Sequence, residues 1–318
     1  MPEQSVLGIV AALGPLWPLV LLDAVGVSLL SVSFPYVVQN AFARNHADLD
    51  PNIIQCDVTP TAAYCENAVM DINAWKTSMS YIGFIIKFFL APTLGVLSDS
   101  VGRRPVFVTC CMMQLLPFTA ILLHTNCGLS IYCALLSSIA SDLPLLGLML
   151  AYSADRMEDP ESRMVGFGLI VASSHANGLV TMSLSSAFSP KTGTNLGCAV
   201  LCLNVAYITL LLPESLPKER RRPLQKSLMW PTSSLRILLR NRFLTCLSIC
   251  LLLSGLVDSA ENFFGPPFCQ KFLGMDKTQF TEVAIVGKAS LLFWSSLGIQ
   301  ALHRWCGDVG TLALAQIC

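Results

Sequence analysis

Gly95-Val-Leu-Ser-Asp99-Ser-Val-Gly102-Arg103-Arg104-Pro105 breaks an otherwise apolar region, and its reading decides the fold. Apolar residues run from Trp75 to Leu97 before it and from Val106 to His124 after it. Each run is near the roughly 20 residues that a helix needs to cross a bilayer core. A tight turn with a carboxylate, glycines and two arginines between two such runs has to lie at a membrane surface. Its cations mark that surface as the cytoplasmic one, because loops on that side carry the excess of Lys and Arg.

Composition agrees. The chain has 318 residues, 53% hydrophobic and 13% charged, with a mean hydropathy of +0.61, whereas soluble domains run at about 25% charged. Net charge is zero and no basic tract is interleaved with aromatics, so the expected partner is the lipid bilayer and not nucleic acid. The 13 cysteines lie scattered through apolar runs, with no C-x-x-C and no Cys/His spacing suited to zinc. Cys56 and Cys65 differ, because they lie in a polar loop, Gln39 to Asn73. No metal site or cofactor is expected. No P-loop, which needs G-K-[ST], and no Gly-x-Ser-x-Gly elbow occurs, so the chain does not read as an enzyme.

Spanning runs recur within Val6–Val38, then at Trp75–Leu97, Val106–His124, Leu129–Tyr152, Val165–Phe188, Leu196–Leu212, Phe243–Phe264 and Val283–Leu302. The first is too long for a signal-peptide core and has no basic residue before it, so it reads as an uncleaved span. A ninth starts near Thr311 and reaches Cys318. The expected fold class is all-α, a polytopic membrane helix bundle, since lipid offers unpaired backbone groups no partner. Arg103, Arg104, Arg156, Arg163 and Arg304 follow even-numbered spans. So does Pro213–Arg242, with eight cations against Glu214 and Glu219. Loops on the other side hold Arg44, Lys191, Lys271 and Lys277. Positive charge inside puts the N-terminus in the cytoplasm. Three parts follow: a six-helix bundle over 1–212, a basic cytoplasmic linker over 213–242, and a partial second bundle over 243–318. Arg304-Trp-Cys-Gly307 after the eighth span faintly repeats Asp99-Ser-Val-Gly102 after the second, as parallel halves of a transporter would.

The turn reads G-x-x-x-D-x-x-G-R-R and resembles the loop between helices two and three of major facilitator superfamily transporters. Leu22-Asp23-Ala-Val-Gly26-Val-Ser-Leu29 with Phe34-Pro35 is similar to the opening helix of tetracycline/proton antiporters. Ser98 to Val106 is similar to the same loop of the proton-coupled folate transporter. Ala151-Tyr-Ser-Ala-Asp155 with Glu161-Ser-Arg163 resembles antiporters and the hippocampus abundant transcript family, and Pro213-Glu-Ser-Leu-Pro217 resembles that last family in particular. The resemblance implies secondary transport of a small organic solute by alternating access. Whether protons are coupled stays open. The family's helix-four Arg is missing from Tyr132–Ser141, and its helix-five Gly-Pro signature from Ala176–Ala187. The resemblance also implies twelve spans. Eight and part of a ninth are present, so the expectation is a C-terminally truncated carrier that transports little or nothing by itself. A non-transporting membrane protein acting by interaction is the alternative.

The same resemblance makes Gly95, Asp99, Gly102, Arg103, Arg104 and Asp155 a conformational latch, with Arg103 paired to Asp155 and the glycines allowing close backbone approach. The competing reading is a topogenic turn whose charges face water. Ionisable residues inside spans cost about 2.5–3.5 kcal/mol each on insertion scales and point to a site or relay. They are Asp23, Lys87, Asp142, His175, Asp258, Glu261 and Lys288. Lys87 paired with a carboxylate either couples an ion or only orients helices. His175 is a relay or a packing residue. Asp258 and Glu261 share a face of the seventh span, at a depth similar to Lys288 on the eighth. Cys56 and Cys65 are expected to form a disulfide, being on the oxidising side.

Overall fold

The computed structural model describes residues 6–44, 46, 56, 62–140, 145–157, 159–185, 188–224, 230, 236, 239–242, 244–250, 252–253, 256, 268–269, 272–275, 277–293, 305 and 307. All regular structure among them is helical. A short helix α1 (Val6–Ala12) and a 3-10 turn lead into α2 (Trp17–Ala43), the first span. The second and third spans are α3 (Ala63–Val101) and α4 (Arg103–Cys127), separated by Gly102 alone. The fourth is in two pieces, α5 (Ile131–Ser137) and α6 (Leu145–Arg156). The fifth and sixth are α7 (Pro160–Ser185) and α8 (Pro190–Leu210). Helix α9 (Lys277–Phe293), at the position of the eighth span, packs on α7. Among the described residues, five helices are long and apolar enough to cross a membrane: α2 with its preceding 3-10 turn, α3, α4, α7 and α8.

Two boundaries differ from the hydropathy reading. Helix α3 is 39 residues long, because its first turns carry Glu66 and Asp71; these charges end an apolar run but not a helix. In the fourth span α5 gives way to a 3-10 turn at Ser138–Ala140, and α6 is described from Leu145.

Helix α2 lies at the centre of the first six spans, against α8, α7, α3 and α4. Its seam with α8 is made by glycines. A Cβ on Gly26 would stand 2.6 Å from the Leu201 side chain, and one on Gly197 would stand 2.6 Å from that of Leu30. Small residues of this kind are how membrane helices come close without a hydrophobic drive. Among the described residues the packed interior has three centres, the smallest being Leu30, Leu115, Cys198 and Leu201. Leu13, Leu16, Phe107, Tyr152, Met157 and Ile208 fill the end of the bundle that holds the turn. Phe42, Ile72, Ile121, Leu135 and the Cys56–Cys65 disulfide fill the opposite end.

Candidate functional site

The turn ends one helix and starts the next at a single residue. Gly102 has φ +115°, a conformation that L side chains rarely adopt, and a Cβ there would stand 2.5 Å from Glu214 Oε2. That space is needed. The Glu214 carboxylate accepts from the Arg103 backbone N–H at 2.8 Å and from the Arg104 backbone N–H at 3.2 Å. These are the first two amides of α4, which have no partner within their own helix. A carboxylate there also meets the positive end of the helix dipole. The Leu216 N–H donates to the same carboxylate, and Arg221 Nη2 lies 3.9 Å from it.

Arg103 turns inward and is nearly buried. Its Nη1 is 2.6 Å from Asp99 Oδ1 and also donates to Ser98 Oγ, while its Nε donates to Asp155 Oδ2 at 3.0 Å. Ser215 Oγ donates to the same Asp155 oxygen. The fork of guanidinium donors holds partners from α3 and α6 together, which a lysine could not do in one geometry. Arg104 turns the other way. Its Nε donates to the Ile208 carbonyl at 3.0 Å and its Nη2 to the Thr209 carbonyl. Both carbonyls belong to the last turn of α8, so a cation meets the negative end of that helix. Tyr152 OH donates to the Pro213 carbonyl and accepts from Arg156 Nη2. Helices α3, α4, α6 and α8 therefore meet in one network of opposite charges and helix ends.

Glu214 and Ser215 were not singled out from sequence, although they anchor this network. The signal was available: Pro213-Glu-Ser-Leu-Pro217 is acidic within an otherwise basic segment. Gly95 differs from expectation. A Cβ there would meet nothing within 4 Å among the described residues, because it lies on the exposed side of α3.

The intramembrane candidates are dispersed. Asp23 on α2 lies near Gln114 of α4, and its Oδ1 is enclosed without a partner among the described residues. Going along the α2–α8 seam, Ser33 meets Gly193, Leu30 meets Gly197 and Gly26 meets Leu201. Continued by one more turn, the same register puts Asp23 of α2 level with Asn204 of α8, a fully buried residue whose Oδ1 and Nδ2 have no partner among the described residues. Sequence reading passed over Asn204, since an amide leaves no mark in a charge search. Lys87 is partly exposed on α3, its Nζ 5.4 Å from the centre of the Phe84 ring. His175 is partly buried on α7. Asp142, Asp258 and Glu261 lie outside the described residues, as does the side chain of Lys288 on α9. Cys56 and Cys65 are joined, with Cα atoms 5.7 Å apart.

An all-helical bundle of membrane-spanning length, closed at one end by such a network, defines a multi-pass integral membrane protein. A sequence model described as Major Facilitator Superfamily matches residues 16–315, and the chain belongs to that family of transporters. It is 26% identical over 251 residues to Hippocampus abundant transcript-like protein 1 of Bos taurus, covering 72% of this chain and 47% of that protein. To the human protein of the same name it is 25% identical, covering 72% and 46%. To Hippocampus abundant transcript 1 protein of Mus musculus it is 24% identical over 258 residues, covering 72% and 48%. The chain thus spans about half the length of the curated relatives it matches. Its fold is similar to that of the human organic anion transporter MFSD10 (TETRAN), with a TM-score of 0.67 at 18% identity over 96% of this chain and 80% of that one.

Proposed function

We propose that the chain is a secondary carrier of a small organic solute, or part of one, in which the first six spans move as a single body against a second bundle. The observation that carries this is the network around Arg103. It links four helix ends by charge and dipole contacts, as a rigid rocking body requires. Asp99 remains 40% exposed at its side chain, free to meet the positive end of a helix in a second bundle and so hold that end shut. The network lies on the cytoplasmic side and the N-terminus with it, since the cations of residues 218–242 follow the same surface. Residues 1–212 are then the first bundle, 213–242 the linker and 243–318 part of the second. Asp23, near Gln114 and level with Asn204 in the register of the α2–α8 seam, is the polar position inside the first bundle best suited to a solute or a coupled proton. Lys87, Asp142, His175, Asp258, Glu261 and Lys288 are further candidates. The name of the MFSD10 neighbour makes organic anions the first solutes to try.

The test is uptake into sealed vesicles. Asp99→Asn keeps the shape and removes the charge, a contribution of about 0.3–1 kcal/mol at exposed sites and up to about 2 when partly buried. It should change the initial rate several-fold with membrane insertion unchanged. Equal rates would leave the segment only a turn. A second reading is a membrane protein that acts by interaction without transport. Absence of uptake for every solute in a broad organic panel, by a correctly inserted protein, would support it.

A further inference from the structure

The charge network around Arg103 takes in the ends of α3, α4, α6 and α8. Helix α7 is held at that end of the bundle by other means. The chain enters through α1, which stops before Gly14-Pro15, since a proline cannot continue a helix, and passes through a 3-10 turn into α2. Trp17 Nε1 donates to the Val10 carbonyl at 3.1 Å and folds α1 back against the start of α2. Tyr207 OH of α8 donates to the Pro15 carbonyl at 2.6 Å. Ile9, Leu13 and Leu16 are buried in one core with Ile170 of α7 and with Met157, which lies just before α7. Gly166 of α7 is the point of contact. A Cβ there would overlap Met157 Cε and would stand 3.6 Å from Leu13 Cδ1, so a glycine is what lets both side chains close on the helix. Met157 is fixed in turn, because its carbonyl accepts from Arg163 Nε at 2.7 Å.

Two features make this fastening reversible. Helix α1 has only seven residues, and an isolated helix shorter than about 12–15 residues is marginal in water. It persists while Ile9 and Leu13 stay docked, and its other side, with Gly8, Val10 and Ala11, is exposed. Helix α7 also has a second neighbour, α9 of the eighth span, which lies outside the first six. We propose that residues 6–16 are a clasp. Docked, they keep the adjoining end of α7 with the first six spans; released, they leave α7 free to follow α9. Order and disorder of a short segment is one of the ways in which proteins switch. The clasp stands on packing alone, and its part in an alternating-access cycle rests on the carrier reading above.

Amide hydrogen exchange on the full chain in nanodiscs tests it, comparing residues 160–170 with residues 98–106 of the charged turn. Leu13→Ala removes the contact over Gly166. Tyr207→Phe removes one hydroxyl and keeps the shape, so it tests the clasp where the first variant folds poorly. Leu13→Ala should speed exchange at 160–170 about tenfold or more, as the loss of a buried leucine side chain does to local opening. Tyr207→Phe should speed it about fivefold, as the loss of one hydrogen bond does. In both, residues 98–106 should be unchanged, and Val10→Ala on the exposed side should alter neither region. Unchanged exchange at 160–170 in either Leu13→Ala or Tyr207→Phe would overturn the proposal. So would a rise of equal size at 98–106, which would make residues 6–16 ordinary core. If exchange responds as expected while no solute is taken up, the clasp stands and the carrier reading falls.

Discussion

At the scale of single residues, two positions make sharp predictions. Gly102 combines a left-handed φ with a carboxylate where a Cβ would sit. Gly102→Ala should therefore cost about 1–2 kcal/mol for the backbone alone, plus the displacement of Glu214, seen as lower thermal stability in micelles. Gly95→Ala is the control: with nothing within 4 Å of its Cβ, it should leave stability unchanged or slightly raised. Glu214 caps α4 from a distance of 111 residues. Glu214→Ala should cost about 1–2 kcal/mol, as the loss of a helix N-cap does, while Glu214→Gln, which keeps one acceptor, should cost less. Unfolding that is unaffected by Glu214→Ala would show that the cap contributes nothing. The arginines and Asp99 were legible in sequence because they are contiguous within one turn. Glu214 was not, because only the packing of α8 beside α4 brings it there.

Among elements, sequence reading located the membrane-crossing runs from the absence of charge. It missed where a helix continues past an apolar run, as α3 does, and where an α-helix gives way to a 3-10 turn, as at Ser138 after α5. Hydropathy averages side chains and is blind to the backbone hydrogen-bond pattern. The Cys56–Cys65 link was expected from the oxidising side of the membrane, and what it fastens emerges from packing. Asn40 Oδ1 accepts from the Cys56 N–H, Gln39 Nε2 donates to the Cys65 carbonyl, and His46 Nε2 lies 2.7 Å from Asp71. The pair thus pins the loop between α2 and α3 to both helices. Replacing both cysteines with serine should cost about 2–4 kcal/mol and should raise proteolysis between residues 44 and 62. Mass spectrometry of unreduced protein must find the two joined; alkylation of both would remove the basis of that prediction.

For the whole molecule, orientation and rigidity are the issues. Cysteines introduced at residues 220–222 should react with an impermeant maleimide only from the cytoplasmic side; labelling only from outside would invert the topology. The membrane class could be read from composition and the turn. The convergence of four helix ends could not, because it is set by the α2–α8 glycine seam and by partners more than 50 residues apart. Arg103 and its partners make those ends one unit. Amide hydrogen exchange on the full chain in nanodiscs tests it most directly, comparing the natural protein with Asp155→Asn, since exchange reports cooperative local opening. Loss of that charge should raise deuterium uptake together in residues 98–106 and 208–216, with 63–80 unchanged. A rise confined to the neighbourhood of residue 155, or no rise at all, would contradict it.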